Sequence, residues 1–520
     1  MQRSWFSLRL HVHAPAVALL ACALAATTPL RAQLIQVKTL PIADGDQWRL
    51  FPSANQGIGD LSIALPDSLH DPFENPAKGS RLSERSRGLF FGSPTFYSVS
   101  SHAGGGATFP VGGILRRGST FGGLALAMQE IDNPGTRSSN VIFPPTALVT
   151  TADAAPLAPQ ATPSRQNRFA FGTIGHVFRD AGISVGANAL WSGLNDIDGV
   201  DLLYSGSQNI VQHGGSLDVR LGVLKEWSGR RSLEAMVLHD RFDMTHDVTW
   251  LDAFWDPNTR STVQRARIDH NLDRTTTWGM HLAYMQPLDS GWRVGAIATT
   301  NLMSHPKLPD YQIAQVMTIP WDPGHTAAYD LGVGIARTTR LTTYGVDAIY
   351  EPIRTHTWGE VPDSLANPSG GLPAGSKTTE NWFRFSNAIL RSGVAREFPL
   401  DTMYGAIRSV RVEFGLTWRS IGYTLNQTDH VAQVNNRQTE SWAEWTRTWG
   451  FALRFSDLQL RYTGRMTTGT GRPGVVPDGV VFAPGAVDAA SNFLSAPSAV
   501  TSLTGVSVTT HQIAVSVPIR

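Results

Sequence analysis

Apolar side chains recur at every second position along much of the chain. In 410–419, Val410, Val412, Phe414, Leu416 and Trp418 alternate with Arg411, Glu413, Gly415, Thr417 and Arg419. In 439–456, Trp445, Trp449, Phe451, Leu453 and Phe455 alternate with Glu444, Thr446, Thr448, Gly450, Ala452 and Arg454. A tight turn at Ser456-Asp457 follows, and then Leu458, Leu460, Tyr462 and Met466 alternate with Gln459, Arg461, Thr463 and Arg465. The stretch 276–285 sets Thr276, Trp278, Met280, Leu282 and Tyr284 against Thr277, Gly279, His281 and Ala283. Successive side chains of a strand point to opposite faces, so each segment predicts a strand with one apolar face and one polar or small face. Helix-period segments with caps are hard to find.

The two faces differ in kind. The apolar face is rich in aromatic rings, and the opposite face is rich in Gly, Ser, Thr and Arg. That division suits strands whose outer side meets lipid and whose inner side lines an enclosed polar space. The predicted strands 232–250, 409–427 and 439–456 are also longer than the roughly 9–11 residues a tilted strand needs to cross a bilayer. Short turns are predicted at 116–119, 179–182, 228–231, 287–290, 339–340 and 456–457. Longer connections are predicted at about 131–166, 195–214, 251–273, 304–325, 358–380, 428–438 and 469–507, with a further inner-side connection at 397–408. Such alternation fits short periplasmic turns and long outer loops. The expectation is an all-β, transmembrane antiparallel β-barrel of about 14–16 strands with an N-terminal plug segment, the lower number applying if 88–116 belongs to the plug. Trp191, Trp227, Trp250, Trp278, Trp292, Trp358, Trp382 and Trp442 fall near proposed strand ends, where an interfacial girdle would place them. The alternative is a water-soluble β-sandwich that buries these rings.

The 520 residues carry 43 basic and 42 acidic side chains, a net charge of +1, which gives no electrostatic footprint for nucleic acid. Cys22 is the only cysteine, so a disulfide framework and a Cys-ligated zinc site are excluded. Residues 1–32 read as a secretory signal peptide: Arg3 and Arg9, then the apolar run Ala14–Ala26, then Leu30-Arg31-Ala32 before Gln33. A competing reading makes Cys22 a lipidation site. Residues 33–87 are then the plug or periplasmic segment and 88–520 the barrel. The expected location is the outer membrane of a Gram-negative-type bacterium, with outer-membrane lipid as solvent.

No phosphate-cradling loop, nucleophile elbow or zinc-helix motif is present, so no enzyme, metal or cofactor is expected. His239 and His246 bracket the most metal-like stretch, but seven residues apart on one strand they face opposite sides. The strongest candidate chemistry is inward-facing charge. Arg411, Glu413, Arg419, Glu444, Arg454, Arg461 and Arg465 fall on the polar faces of three consecutive predicted strands. Such a stripe either sets solute selectivity, binds an anionic head group, or fills the interior as an ion-pair network.

Near the front, Ser53-Ala54-Asn55-Gln56-Gly57-Ile58-Gly59-Asp60 leads through Ile63-Ala64-Leu65 to Asp71-Pro72-Phe73-Glu74-Asn75-Pro76-Ala77. This resembles the start of the long-chain fatty acid (hydrophobic-compound) outer-membrane transporter family. In that family a small-residue stretch precedes an Asn-Pro-Ala turn entering the barrel, matched here by Asn75, Pro76 and Ala77. The resemblance implies that 33–87 sits inside a barrel that passes a small, hydrophobic solute. The alternative is a surface scaffold or secretion-machinery barrel whose outer loops bind proteins.

Overall fold

The computed structural model describes residues 34–35, 37–39, 47–82, 88–100, 104–132, 165–198, 208–256, 260–305, 311–313, 317–319, 324–360, 373–400, 407–474, 496 and 502–519. The expected leader 1–32, with Cys22, lies outside the described residues. So does most of the loops 133–164 and 475–501.

The strands are β1 (Gly88–Gly92), β2 (Thr95–Val99), β3 (Gly105–Arg117), β4 (Thr120–Asp132), β5 (Arg165–Phe178), β6 (Ile183–Leu194), β7 (Asn209–Glu226), β8 (Ser232–Asp256), β9 (Ser261–Pro287) and β10 (Trp292–His305). A small separate hairpin, β11 (Tyr311–Ile313) and β12 (Met317–Ile319), follows. The sheet resumes with β13 (Gly324–Thr338), β14 (Thr342–Glu360), β15 (Lys377–Pro399), β16 (Ile407–Asp429), β17 (Val434–Phe455), β18 (Gln459–Gly471) and β19 (Ser507–Ile519). From β3 onward each strand of the sheet pairs antiparallel with the next, β10 with β13 across the small hairpin, and β1 and β2 both join β3 to β19.

The seventeen strands of this sheet occupy sixteen positions. β1 and β2 pair with the same partners, β3 and β19, in one continuous register. The ladder carries on through the gap: the Ser93 N–H donates to Pro110 O (3.2 Å) and the Ile513 N–H to Pro94 O (3.0 Å). Pro94, lacking an N–H, interrupts the strand without ending it. Residues 88–116 are therefore wall, which removes the 14-strand alternative. The protein is a closed antiparallel 16-strand barrel.

The outside is greasy along its whole circumference. Leu124 is 73% exposed, Leu126 62%, Ile174 63% and Val333 62%, while their neighbours Ala125, Ala127, Phe171 and Ala336 are buried on the inner side. So large an apolar surface is stable only against hydrocarbon. The barrel is accordingly an outer-membrane protein, because a sandwich would have covered these side chains.

All six predicted short turns are hairpin connections of two to five residues between strands, the β13–β14 one running through Thr339–Leu341. Gly182 in the β5–β6 turn has φ +58°, where a side chain would be strained. These turns share one end of the barrel, called here the short-turn end. Two predicted loops at the other end prove to be strand. The expected connection 251–273 is mostly β8 and β9, paired from Ser232 to Asp256. The expected connection 428–438 shrinks to the tip between Asp429 and Val434, where the Asp429 carboxylate accepts the N–H groups of Val431 and Ala432 (both 2.8 Å). At about 3.3 Å per residue, the 27 residues of β9 far exceed the bilayer. A strand that projects past hydrocarbon is no longer held to an apolar outer face, and the alternation that marks a strand is missing from the sequence of 251–267.

Candidate functional site

Residues 47–82 are packed against the inner wall. Asp67 ties the first part of this segment together: its carboxylate accepts from Ser53 Oγ (2.6 Å) and from the N–H groups of Ala54, Asn55, Leu69 and His70. Asn55 Nδ2 donates to the carbonyls of Leu61 (2.9 Å) and Leu65 (3.0 Å). The small residues between them serve close approach to the wall. A Cβ on Gly57 would lie 2.2 Å from Glu413 Oε2, and one on Gly59, at φ +80°, would lie 2.7 Å from Ser392 O. The wall answers with side chains: Thr448 Oγ1 accepts the Gly59 N–H (3.0 Å) and donates to Gly57 O (3.1 Å), and Asp347 accepts the N–H of Ser62 (2.8 Å).

The Asn75-Pro76-Ala77 turn is built as a local cap and a wall contact at once. Asn75 Oδ1 accepts the Ala77 N–H (3.1 Å), while its Nδ2 donates to Glu234 of β8 (3.1 Å). Lys78 also reaches Glu234 (3.0 Å) and Asp71 (3.4 Å). The turn presses on backbone: Cβ atoms on Gly186 and Gly222 would meet Pro76 C at 2.6 Å and Asn75 Oδ1 at 2.0 Å. In this segment, burial pulls the His70 imidazole down, but the hydrogen bond and charge of Glu74 outweigh it and raise it to about 9. Burial lifts the Asp71 carboxyl to about 6 against the opposing charge of Lys78.

The seven charged positions singled out in the sequence lie on β16, β17 and β18, which are adjacent. Glu413, fully buried, receives Arg411 Nε and Arg461 Nη1 on the same oxygen, Oε1, each at 2.6 Å. Arg419 pairs instead with Glu351 of β14 (2.9 Å), which also accepts from Asn387 Nδ2 (2.8 Å). Glu444 binds Lys38 from the N-terminal arm (2.8 Å) and accepts from Trp442 Nε1 (3.2 Å). Arg465 reaches Asp60 of the inner segment (3.3 Å). Arg454 is exposed beside a small cavity at the short-turn end. The seven thus fall into several separate clusters rather than one continuous stripe. Glu351, Asp347 and Asn387 were missed, although Asp347, Ile349, Glu351 and Ile353 lie on one alternating face of β14.

The inner face is also less polar than its arginines suggest. Toward the long-loop end, Ile353, Phe383, Phe385, Ile421, Tyr423, Leu425 and Trp442 form a buried cluster with Ile35 and Leu503. Trp442, expected in the girdle, faces inward and lies edge-on to Tyr423 (6.3 Å, 88°). A second apolar region packs Phe51 flat on Phe73 (4.2 Å, 9°), with Phe91 and Phe171 at their edges. His239 and His246 lie on one unbroken strand, His246 buried inward and His239 tilted against Trp278 (4.2 Å, 36°). Trp250's side chain lies outside the described residues.

A closed sixteen-strand wall, an apolar outer surface and an inner segment bound to that wall place the chain in the class of outer-membrane β-barrels. No protein-family model matches the sequence, and no curated protein matches it. Among solved structures it is similar to a Pseudomonas aeruginosa FadL homologue, at 10% identity and TM-score 0.41 over 91% of this chain and 99% of that one. It is also similar to the Pseudomonas putida toluene transporter TodX, at 9% identity and TM-score 0.34 over 89% of this chain and 96% of that one. A third similarity is to the FrpB iron transporter of Neisseria meningitidis, at 8% identity and TM-score 0.32 over 76% of this chain; the chain spans only 64% of that protein's length. The barrel assignment rests on strand pairing, which is independent of these likenesses.

Proposed function

We propose that the barrel passes a small hydrophobic solute across the outer membrane, with residues 33–87 acting as a plug. The observation that carries this reading is the lumen-facing aromatic and aliphatic cluster around Phe383, Phe385, Tyr423 and Trp442. A water-filled pore has no use for such a surface, whereas an apolar solute is stabilised there by about 25 cal/mol for each Å² it removes from water. Glu444 through Lys38, Arg461 through Ala54 O and Arg465 through Asp60 then hold the plug, and with Arg411, Glu413, Arg419 and Arg454 they filter polar solutes around it. The chain's own Ile35, Val37 and Leu503 occupy the cluster, which favours the second reading, a non-transporting scaffold that binds proteins through its outer loops. Uptake separates the two. Cells carrying the barrel should admit a hydrophobic fluorophore several-fold faster than cells without it, and Phe383→Ala with Trp442→Ala should remove most of the gain. Equal entry with and without the barrel defeats the transport reading.

A further inference from the structure

At the short-turn end, a cavity of about 200 Å³ opens between the inner segment and the wall. Ala54, Ser68 and Leu69 close one side; Arg411, Arg454 and Arg461, with Glu397, Ser409 and Gln459, form the other. We propose that this cavity binds one oxyanion group, a carboxylate or a phosphate, through the guanidinium groups of Arg411, Arg454 and Arg461.

The charges are unbalanced in the direction an anion requires. Arg411 and Arg461 share the single carboxylate of Glu413. Glu397, the other acid in the lining, accepts from Ser409 Oγ (2.7 Å). Arg454 has no ion pair among the described residues, so three cations face two carboxylates. Arg461 supplies the sharper sign. Its side chain is only 4% exposed, its Nη1 is used on Glu413 and on Ala54 O (3.2 Å), and its Nε is buried with no hydrogen-bond partner among the described residues. A buried guanidinium N–H without an acceptor is costly, and an anion in the cavity it lines supplies one. The planar fork of donors on each arginine matches the oxygens of a carboxylate or phosphate, and the hydroxyl of Ser68 and the amide of Gln459 add polar groups in the same lining. The volume lies below the roughly 300–1,000 Å³ of pockets that enclose whole drug-sized ligands. The site therefore takes a free small anion or the head of a larger one.

The test is titration calorimetry on the full-length barrel in neutral detergent, with inorganic phosphate and, separately, with butyrate. Saturable one-site binding of either anion is expected, weakened at least tenfold in Arg454→Gln and less in Arg454→Lys. Arg454 is exposed and its loss leaves the Glu413 pairs in place, and heat-modifiable gel mobility checks that each variant keeps its barrel. Arg411→Gln gives a second, independent reading of the same loss. Binding of phosphate alone identifies a free inorganic anion, and binding of butyrate identifies an organic acid's head group. Absence of saturable binding for both anions, or wild-type affinity in both Arg454→Gln and Arg411→Gln, overturns the proposal. Neither result bears on entry of the hydrophobic fluorophore, so the two readings fail separately.

Discussion

Replacing Gly222 with valine places a side chain where the Asn-Pro-Ala turn now touches bare backbone. The new Cβ would stand 2.0 Å from Asn75 Oδ1 and 3.2 Å from Pro76 Cδ, so the turn has to leave the wall. It would give up the Asn75–Glu234 hydrogen bond (3.1 Å) and the Lys78–Glu234 pair (3.0 Å). A hydrogen bond to a charged group contributes about 1.5–3 kcal/mol, and breaking a buried ion pair costs about 3–5 kcal/mol. Both losses involve Glu234 and do not simply add. Taking about 3–5 kcal/mol for the whole turn, the ratio of docked to released segment falls by roughly a hundredfold to a few thousandfold. The assay is single-channel conductance with limited trypsin digestion, since Arg49, Lys78 and Arg81 offer cleavage sites once released. Gly172→Val on β5 is the control, because its Cβ would meet only Leu124 Cδ2, at 3.6 Å. If Gly222→Val stays as closed and as protected as Gly172→Val, the turn does not anchor the segment and the reasoning fails.

Removing residues 33–87 should raise conductance well above the wild-type level, and unchanged conductance would count against a plug. Glu413→Ala leaves Arg411 and Arg461 facing each other without their shared acid; denaturant unfolding should show a loss of about 3–5 kcal/mol, and an unaltered midpoint contradicts the pairing. Leu126→Arg, on the lipid face of β4, should destabilise the barrel in liposomes by about 2–4 kcal/mol if it lies at mid-bilayer, whereas no effect means that face does not meet hydrocarbon. The His70 imidazole, held at about 9 chiefly by Glu74 against burial, contributes fully below its ordinary value of 6.5. That contribution is lost as pH rises through 9, so trypsin should reach the segment more readily across that window in wild type but show no such step in His70→Gln.

What could be read in the sequence depended on whether an element sits in an asymmetric environment. In β16 and β17 lipid lies on one side and protein on the other, so Val412, Phe414 and Leu416 alternate with Arg411, Glu413 and Gly415 and the strands are plain. In Asp252 to Arg267 the sequence carries no two-residue alternation, although β8 and β9 continue to pair there. The interior was misread for a related reason. Phe383, Phe385, Tyr423 and Trp442 face inward, toward Ile35 and Leu503, so apolar residues stand on both faces of the upper strands and the outward assignment of rings breaks down there. Ion pairs such as Arg419–Glu351 join strands 68 residues apart in sequence, and no local pattern encodes their meeting. Asn75 was legible as a turn former, but its grip on Glu234 came only from the packing of the turn on the β7–β8 wall.

The seam that shuts the cylinder joins Thr95 to Gln512, 417 residues apart. Contacts of such sequence separation form slowly, since a long loop has to be closed before they give any return. β1 and β2 therefore stay unsealed on one side until β19 has formed. Asn75 and Lys78 grip Glu234 of β8 while Asp60 meets Arg465 of β18, so the inner segment binds strands made early and strands made late. The grip on β8 needs only the earlier part of the chain, whereas the grip on β18 waits for a strand 405 residues further along.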